Sequence, residues 1–252
     1  MSVVLLERPQ PGVAVIRLDR PEVRNALTTK VRRLIEACVA EITADDSIGV
    51  IVLTGNDSVF AVGADLREQQ GRDVVGAITT FTTHALWHSP KPVIAAVNGD
   101  AFGGGCELVL QCDFVIASAN ARFSQPEITV GFVPGGGATQ RLPKVIGRQN
   151  AMYALLTGAP IPAADAYRMG LVAEVVEGDA MARALELAAQ IAARPTVTVR
   201  QIKEIVRLGL DAPADVGLAL ERRGWQLMFG TADLHEGINA TLDNRPPEFR
   251  GK

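Results

Sequence analysis

Short β-branched runs separated by longer helical patterns constrain this chain most. Residues 13–18 (VAVIRL), 50–53 (VIVL), 93–97 (VIAAV), 114–117 (FVIA) and 171–176 (LVAEVV) each read as a strand. Strands joined through helices lie side by side and run the same way. The pattern therefore predicts an α/β fold built on a mostly parallel sheet. Between the first two runs, Leu27, Val31, Leu34, Ile35, Cys38 and Ile42 recur at helical spacing. That periodicity predicts a helix with one buried face, which Thr28 or Thr29 is placed to cap. The second strand is closed by Thr54-Gly55-Asn56, and the third is entered through Pro90-Lys91-Pro92.

The pattern changes near Gly178. From Ala180 onward the chain reads as almost wholly helical, with an amphipathic run stopped by Pro195 and further helices over 196–208, 214–229 and 232–242. We read residues 1–178 as a core and 179–252 as a helical region of the same structural unit, packed on that core or on a neighbouring subunit. No internal repeat of fixed period is visible.

A chain of 252 residues suits one large domain, and 48% hydrophobic with 21% charged residues is ordinary for a soluble globular protein. The net charge of −3 argues against a nucleic-acid partner, although a local arginine cluster for a phosphate ligand stays open. No stretch approaches the roughly 20 apolar residues that span a bilayer, so no membrane partner is expected. The N-terminal sequence meets Glu7 and Pro9 without a basic or long apolar segment, so no secretory signal is expected either. Cys38, Cys106 and Cys112 are odd in number and lack C-x-x-C spacing. They read as reduced thiols of a cytoplasmic protein.

Residues 98–113 (NGDAFGGGCELVLQCD) carry the first chemical signal. A buried strand ends, three glycines follow, and a helical pattern begins. Such a turn is either a tight strand–helix connection or a site where unpaired helix N–H groups meet an anion or a developing oxyanion. The G-x-G-x-x-G and G-x-x-x-x-G-K-[ST] spacings are absent, which disfavours a dinucleotide dehydrogenase and a P-loop enzyme. Glu107 follows the glycines within CELVLQC, either exposed or buried for acid–base work. Glu127 stands beside a second cluster, Pro134-Gly135-Gly136-Gly137. Two carboxylates sharing one pocket can hold a water and pass protons to and from a substrate.

Gly63-Ala64-Asp65 forms a compact turn after the second strand, at the end of a parallel strand where open α/β sheets bind ligands. A backbone N–H from it can join one from the Gly103–Gly105 turn as a donor pair. Asp65 also suits a helix cap. His84 and His88 lie one helical turn apart, but no third ligand is evident, so they read as surface or packing residues. No serine lies in a G-x-S-x-G elbow, which disfavours a serine hydrolase.

Taken together these segments resemble the enoyl-CoA hydratase/isomerase (crotonase) superfamily. The matching stretches are Arg20-Pro21 through Asn25-Ala26-Leu27, AVGADL, KPVIAAVNG, GGGCELVLQCD, FSQPEITVGFVPGGG, TQRLP, LLTG and GLVAEVV, in the family's order over nearly the whole chain. The resemblance implies a spiral of ββα units over residues 1–178 and a helical trimerisation region over 179–252. Trimers of this kind often pair into hexamers. It implies an acyl-CoA thioester as the substrate, with coenzyme A as part of that substrate and no metal or other cofactor. The amides of Ala64 and Gly104 would form the oxyanion hole. Glu107 and Glu127 match the two glutamates of hydratases, where many isomerases lack the first. Water would then add to Cβ of a trans-2-enoyl-CoA and give a 3-hydroxyacyl-CoA. Glu107 would orient and activate that water, Glu127 would share it and protonate Cα, and the Gly135 amide would help orient it.

Coenzyme A would lie along Asp65-Leu66-Arg67 and near Arg24 and Ala26, with Arg24 and Arg67 either its phosphate partners or solvated surface arginines. The acyl pocket is expected from residues 69–89 and the C-terminal helices. Two departures stand out: Asp100, where relatives often have an aromatic or small residue, and Gly137-Ala138 in place of a glycine pair. Neither is expected to touch the glutamates, and both bear on the acyl pocket. Two alternatives to hydration are an isomerase moving a 3-enoyl double bond to position 2, which needs Glu127 alone, and a CoA-ester-binding protein without turnover.

Overall fold

The computed structural model describes residues 3–79 and 82–251. The first strands are β1 (Val4–Gln10), β2 (Gly12–Leu18), β3 (Ile48–Thr54) and β4 (Val59–Ala61), with helix α1 (Thr29–Ala44) between β2 and β3. Short helices α2 (Leu66–Gln69), α3 (Val74–Ile78) and α4 (Ala85–His88) follow. Next come β5 (Val93–Val97), β6 (Asp100–Phe102), α5 (Gly104–Val109), β7 (Phe114–Ser118) and β8 (Arg122–Ser124). A 3₁₀ turn, Pro126–Val130, leads into α6 (Ala138–Thr157), β9 (Ile161–Pro162), α7 (Ala163–Met169) and β10 (Glu174–Val176). The chain ends in α8 (Ala180–Ala192), α9 (Thr196–Gly209), α10 (Ala214–Met228) and α11 (Ala232–Leu242).

The main sheet has six strands in the order β1-β2-β3-β5-β7-β10, parallel except for the β1–β2 hairpin. Each predicted strand is present, but residues 171–176 contribute only β10, with Leu171 and Val172 buried ahead of it in the core. The pattern missed β1, which tolerates Pro9 because an edge strand can leave one side unpaired. It also missed a second sheet, ordered β4-β6-β8-β9, whose strands of two or three residues are too short to show a period. β3–β4, β5–β6 and β7–β8 each place one strand in each sheet before a helical segment. That ββα unit recurs without a fixed period because its first strands start at Ile48, Val93 and Phe114.

Alternation along the strands explains why both faces are apolar. Ala14, Ile16, Ile51 and Leu53 pack into the main core with Val31, Ile35 and Ile42 of α1. Val13, Val15, Val50, Val52, Ile94 and Ile116 pack the other way, against Ala180, Met181, Ala184 and Ala188 of α8. A parallel sheet covered on both faces needs continuous apolar strands, the feature that made these runs conspicuous. Thr28 caps α1 by accepting from the Val31 amide at 3.2 Å. At the other end, fully buried Lys91 donates through Nζ to the carbonyls of Ile42 (2.5 Å) and Asp45 (2.6 Å). A cation there satisfies orphan carbonyls at the negative end of the helix.

The predicted C-terminal helices match α8 to α11 closely. α9 and α10 pack on each other, yet Ile202, Val206, Leu210, Leu218 and Trp225 stay exposed. All three cysteines are free thiols. Among the described residues no helix is long and apolar enough to cross a membrane.

Candidate active site

Two chain reversals build one side of the site. After β4 the chain turns at Gly63 and Ala64, and a two-residue bridge fixes the turn: the Leu27 amide donates to the Gly63 carbonyl (2.8 Å), and the Asp65 amide donates to the Leu27 carbonyl (3.2 Å). Asp65 then caps α2 by accepting from the Arg67 amide. After β6 the chain turns at Gly103, whose φ of 52° suits glycine, and α5 begins. The turns abut: a Cβ placed on Gly63 would lie 3.2 Å from the Gly104 nitrogen. Neither the Ala64 nor the Gly104 amide has a hydrogen-bond acceptor among the described residues. The structure thus brings together the two turns expected from sequence and leaves both amides without an acceptor there.

Glu107 lies in the first turn of α5 and is buried. Its Oε1 accepts from the amides of Gly136 (2.6 Å) and Ala138 (3.1 Å). Those donors come from the second glycine cluster, which turns into α6 with Gly137 at φ 111°. A Cβ on Gly136 would sit 2.5 Å from Glu107 Oε2, so only glycine lets the loop approach this closely. Arg141 braces the loop by donating to the Gly136 carbonyl at 2.9 Å while its guanidinium stacks 4.8 Å above the centre of the Trp87 ring. Contrary to the sequence expectation, the Gly137-Ala138 departure therefore does touch a glutamate, through the Ala138 amide.

Glu127 enters from the 3₁₀ turn after β8. The Gln125 amide, oriented by its partners, places its NH₂ 3.2 Å from both Glu127 oxygens. Burial, helped by the charge of Glu107 and opposed by a backbone hydrogen bond, pushes the Glu127 carboxyl up to about 7. Both glutamates line one cavity of about 450 Å³, together with Gly63, Ala64, Gly103 and Gly104.

Of the remaining predicted residues, Ala26, Asp65, Leu66 and Gly135 also line this cavity. Arg24 and Arg67 do not. Arg67 is exposed, and Arg24 donates to Asp100 Oδ2 at 2.7 Å. Asp100 is not part of the cavity wall either. It is buried and grips Arg24 and Arg122 together, the latter through two hydrogen bonds of 2.8 and 3.0 Å. The expected acyl wall is present in part. Gln69 and Thr82 line the cavity, but among the described residues no C-terminal helix does, and Val130, Phe132 and Val133 stand there instead.

Sequence reasoning missed Gly136, although the glycine cluster flagged its neighbourhood. It also missed Arg32, which lines the cavity. Arg32 sits next to Val31 and three residues before Ile35, at the edge of the buried face of α1, and that placement was visible in the helical period. Among the described residues, no group of three or more His, Cys, Asp or Glu side chains could hold a metal.

A family model described as enoyl-CoA hydratase/isomerase matches residues 8–252. A probable enoyl-CoA hydratase of Rhizobium meliloti is 42% identical over 98% of this chain and 97% of its own. The 2,3-dehydroadipyl-CoA hydratase of Escherichia coli is 40% identical over the full length of both. The solved structure of an enoyl-CoA hydratase from Bacillus anthracis superposes with a TM-score of 0.93 at 33% identity, covering 100% of both chains.

Proposed function

The chain belongs to the enoyl-CoA hydratase/isomerase family and is a hydro-lyase with the crotonase fold, and we infer how its two glutamates divide the hydration of a trans-2-enoyl-CoA. The thioester carbonyl is received by the amides of Ala64 and Gly104, which are free to donate. Each such donor contributes about 3 kcal/mol when it meets charge that develops only in the transition state. The substrate water is held between Glu107 and Glu127. Glu107, fixed by two backbone amides, accepts a proton from the water as its oxygen bonds to Cβ. Glu127, its carboxyl pushed up to about 7 and so protonated in a large fraction of molecules at neutral pH, delivers a proton to Cα. The proton held on Glu107 then passes to Glu127 across the shared site, so both carboxylates are restored. The product is a 3-hydroxyacyl-CoA, and the chemistry needs no cofactor beyond the coenzyme A of the substrate.

The coenzyme runs out along Asp65, Leu66 and Arg67 and past Ala26, with Gly135 adding an amide near the water. Arg24 offers the phosphates what its pairing with Asp100 leaves free. The exposed apolar residues of α9 and α10 support assembly as a homotrimer or a hexamer. Free, mostly buried thiols support a cytoplasmic location.

One observation carries this reading: two carboxylates from separate elements line a single cavity with two uncommitted amides. An isomerase needs only Glu127, and would have no use for a buried Glu107 clamped by two amides. Loss of the conjugated-thioester absorbance of crotonyl-CoA tests it. Rapid loss supports hydration. No loss from crotonyl-CoA or longer enoyl-CoAs, with turnover of 3-enoyl-CoA, would favour isomerisation.

A further inference from the structure

One cation in the cavity wall has no part in the hydration chemistry. Arg32, on α1, lines the cavity, and among the described residues its guanidinium makes no hydrogen bond and no ion pair. Other arginines in comparable settings are committed: Arg17 to Glu7, Arg20 to the Ala26 carbonyl, Arg122 to Asp100 and Arg141 to the Gly136 carbonyl. The charges facing Arg32 are Glu107, Glu68 and Arg72. Neither carboxylate comes within 4 Å of the guanidinium, and each has one oxygen turned to other donors. Glu68 Oε2 accepts from the Thr29 amide (2.9 Å) and hydroxyl (3.1 Å), and Glu107 Oε1 takes two amides. Burial lowers the Arg32 pKa, the mark of a cation drawn partly out of water. A guanidinium held this way has five donors to satisfy, and leaving them unmet is costly.

The position narrows the ligand. The thioester end of a substrate is fixed at Ala64 and Gly104, and its Cβ faces Glu107. Arg32 lies on the Glu107 side, within reach of that charge, and the rest of the wall is apolar at Val62, Leu66, Val130 and Phe132. A group meeting Arg32 therefore belongs to the acyl chain beyond Cβ, not to the coenzyme. A planar fork of donors is complementary to a carboxylate.

We propose that Arg32 receives a carboxylate at the far end of the acyl chain, so that the preferred substrates are short trans-2-enoyl-CoA thioesters of dicarboxylic acids. This rests on the hydratase reading above and names its substrate class. It makes Arg32 a specificity-determining residue without a role in proton transfer.

The test compares trans-2-hexenoyl-CoA with its ω-carboxylated counterpart, on the full-length wild type, Arg32→Met and Arg32→Lys. Wild type is expected to prefer the carboxylated thioester by at least about tenfold in kcat/KM, the range of one charge-assisted hydrogen bond. Arg32→Met is expected to lower that preference at least about tenfold, chiefly through KM, with Arg32→Lys between the two. A preference ratio is independent of how much of each variant folds. Equal use of both thioesters by wild type, or an unchanged ratio in Arg32→Met, would overturn the proposal. If wild type hydrates neither thioester, the hydratase reading fails instead. Competitive binding of the saturated carboxylated and uncarboxylated CoA esters then decides Arg32: tighter binding of the carboxylated ester, lost in Arg32→Met, supports it, and equal binding overturns it.

Discussion

The two walls of the cavity are built differently. On one side stand α5 and the loop into α6, where Glu107 is buried and held by amides from residues 29 and 31 positions away in sequence. On the other side α2, a helix of four residues, contributes Leu66 and Gln69, and it runs on into the five-residue α3, which lies outside the wall with Val74, Val75 and Ile78 largely exposed. The first wall is fixed by long-range backbone hydrogen bonds and close glycine packing. The second is held by short elements with little buried apolar surface, the kind that opens at low free-energy cost. The contrast separates tasks: proton transfer requires fixed geometry, whereas fitting different acyl chains tolerates an adaptable wall.

The largest effect is expected where the fixed wall is loosened. Gly136→Ala drives a Cβ to within 2.5 Å of Glu107 Oε2 and should lower kcat by about a hundredfold, the scale of a displaced catalytic group. Steady-state kinetics would show this, and a fall of less than twofold would mean that the amide clamp on Glu107 is dispensable. A smaller effect concerns proton supply. Glu127 acts in its protonated form and titrates near 7, so kcat/KM should fall as pH rises through that value, approaching tenfold per unit beyond about pH 8. A flat profile from pH 6 to 9 would remove Glu127 as the donor. The smallest effect is expected on α3, which follows the adaptable wall in the chain. Val75→Ser and Ile78→Ser should change unfolding free energy by no more than about 0.5 kcal/mol, as surface substitutions do. A loss of several kcal/mol in denaturant titration would show that α3 is tightly packed after all.

How much of this was legible in the sequence follows from which forces write a local pattern. Strands covered on both faces leave continuous apolar runs, so β2, β3, β5 and β7 were visible and β5 was located to the residue. A second sheet made of two- and three-residue strands leaves no period, and the spiral could be inferred only by resemblance. At the site, glycine clusters signalled close backbone approach, and the turns carrying Ala64 and Gly104 abut where they pointed. The pairing of Arg24 with Asp100, across 76 positions, left no such trace. Nor did the clamp on Glu107, since any amide can serve. Arg32 and Arg33 are chemically identical neighbours, and only the phase of α1 tells which one faces the cavity.

The central claim is that Glu107 and Glu127 act on one water as a unit. Hydration rates of Glu107→Gln, Glu127→Gln and the double variant test it most directly, with CoA-ester binding measured alongside. Each single change should lower kcat by about a thousandfold while leaving binding largely intact, and the double variant should be little worse than either single, because groups acting as a unit are not additive. Full activity in either single variant, or losses that multiply in the double variant, would contradict a shared-water mechanism.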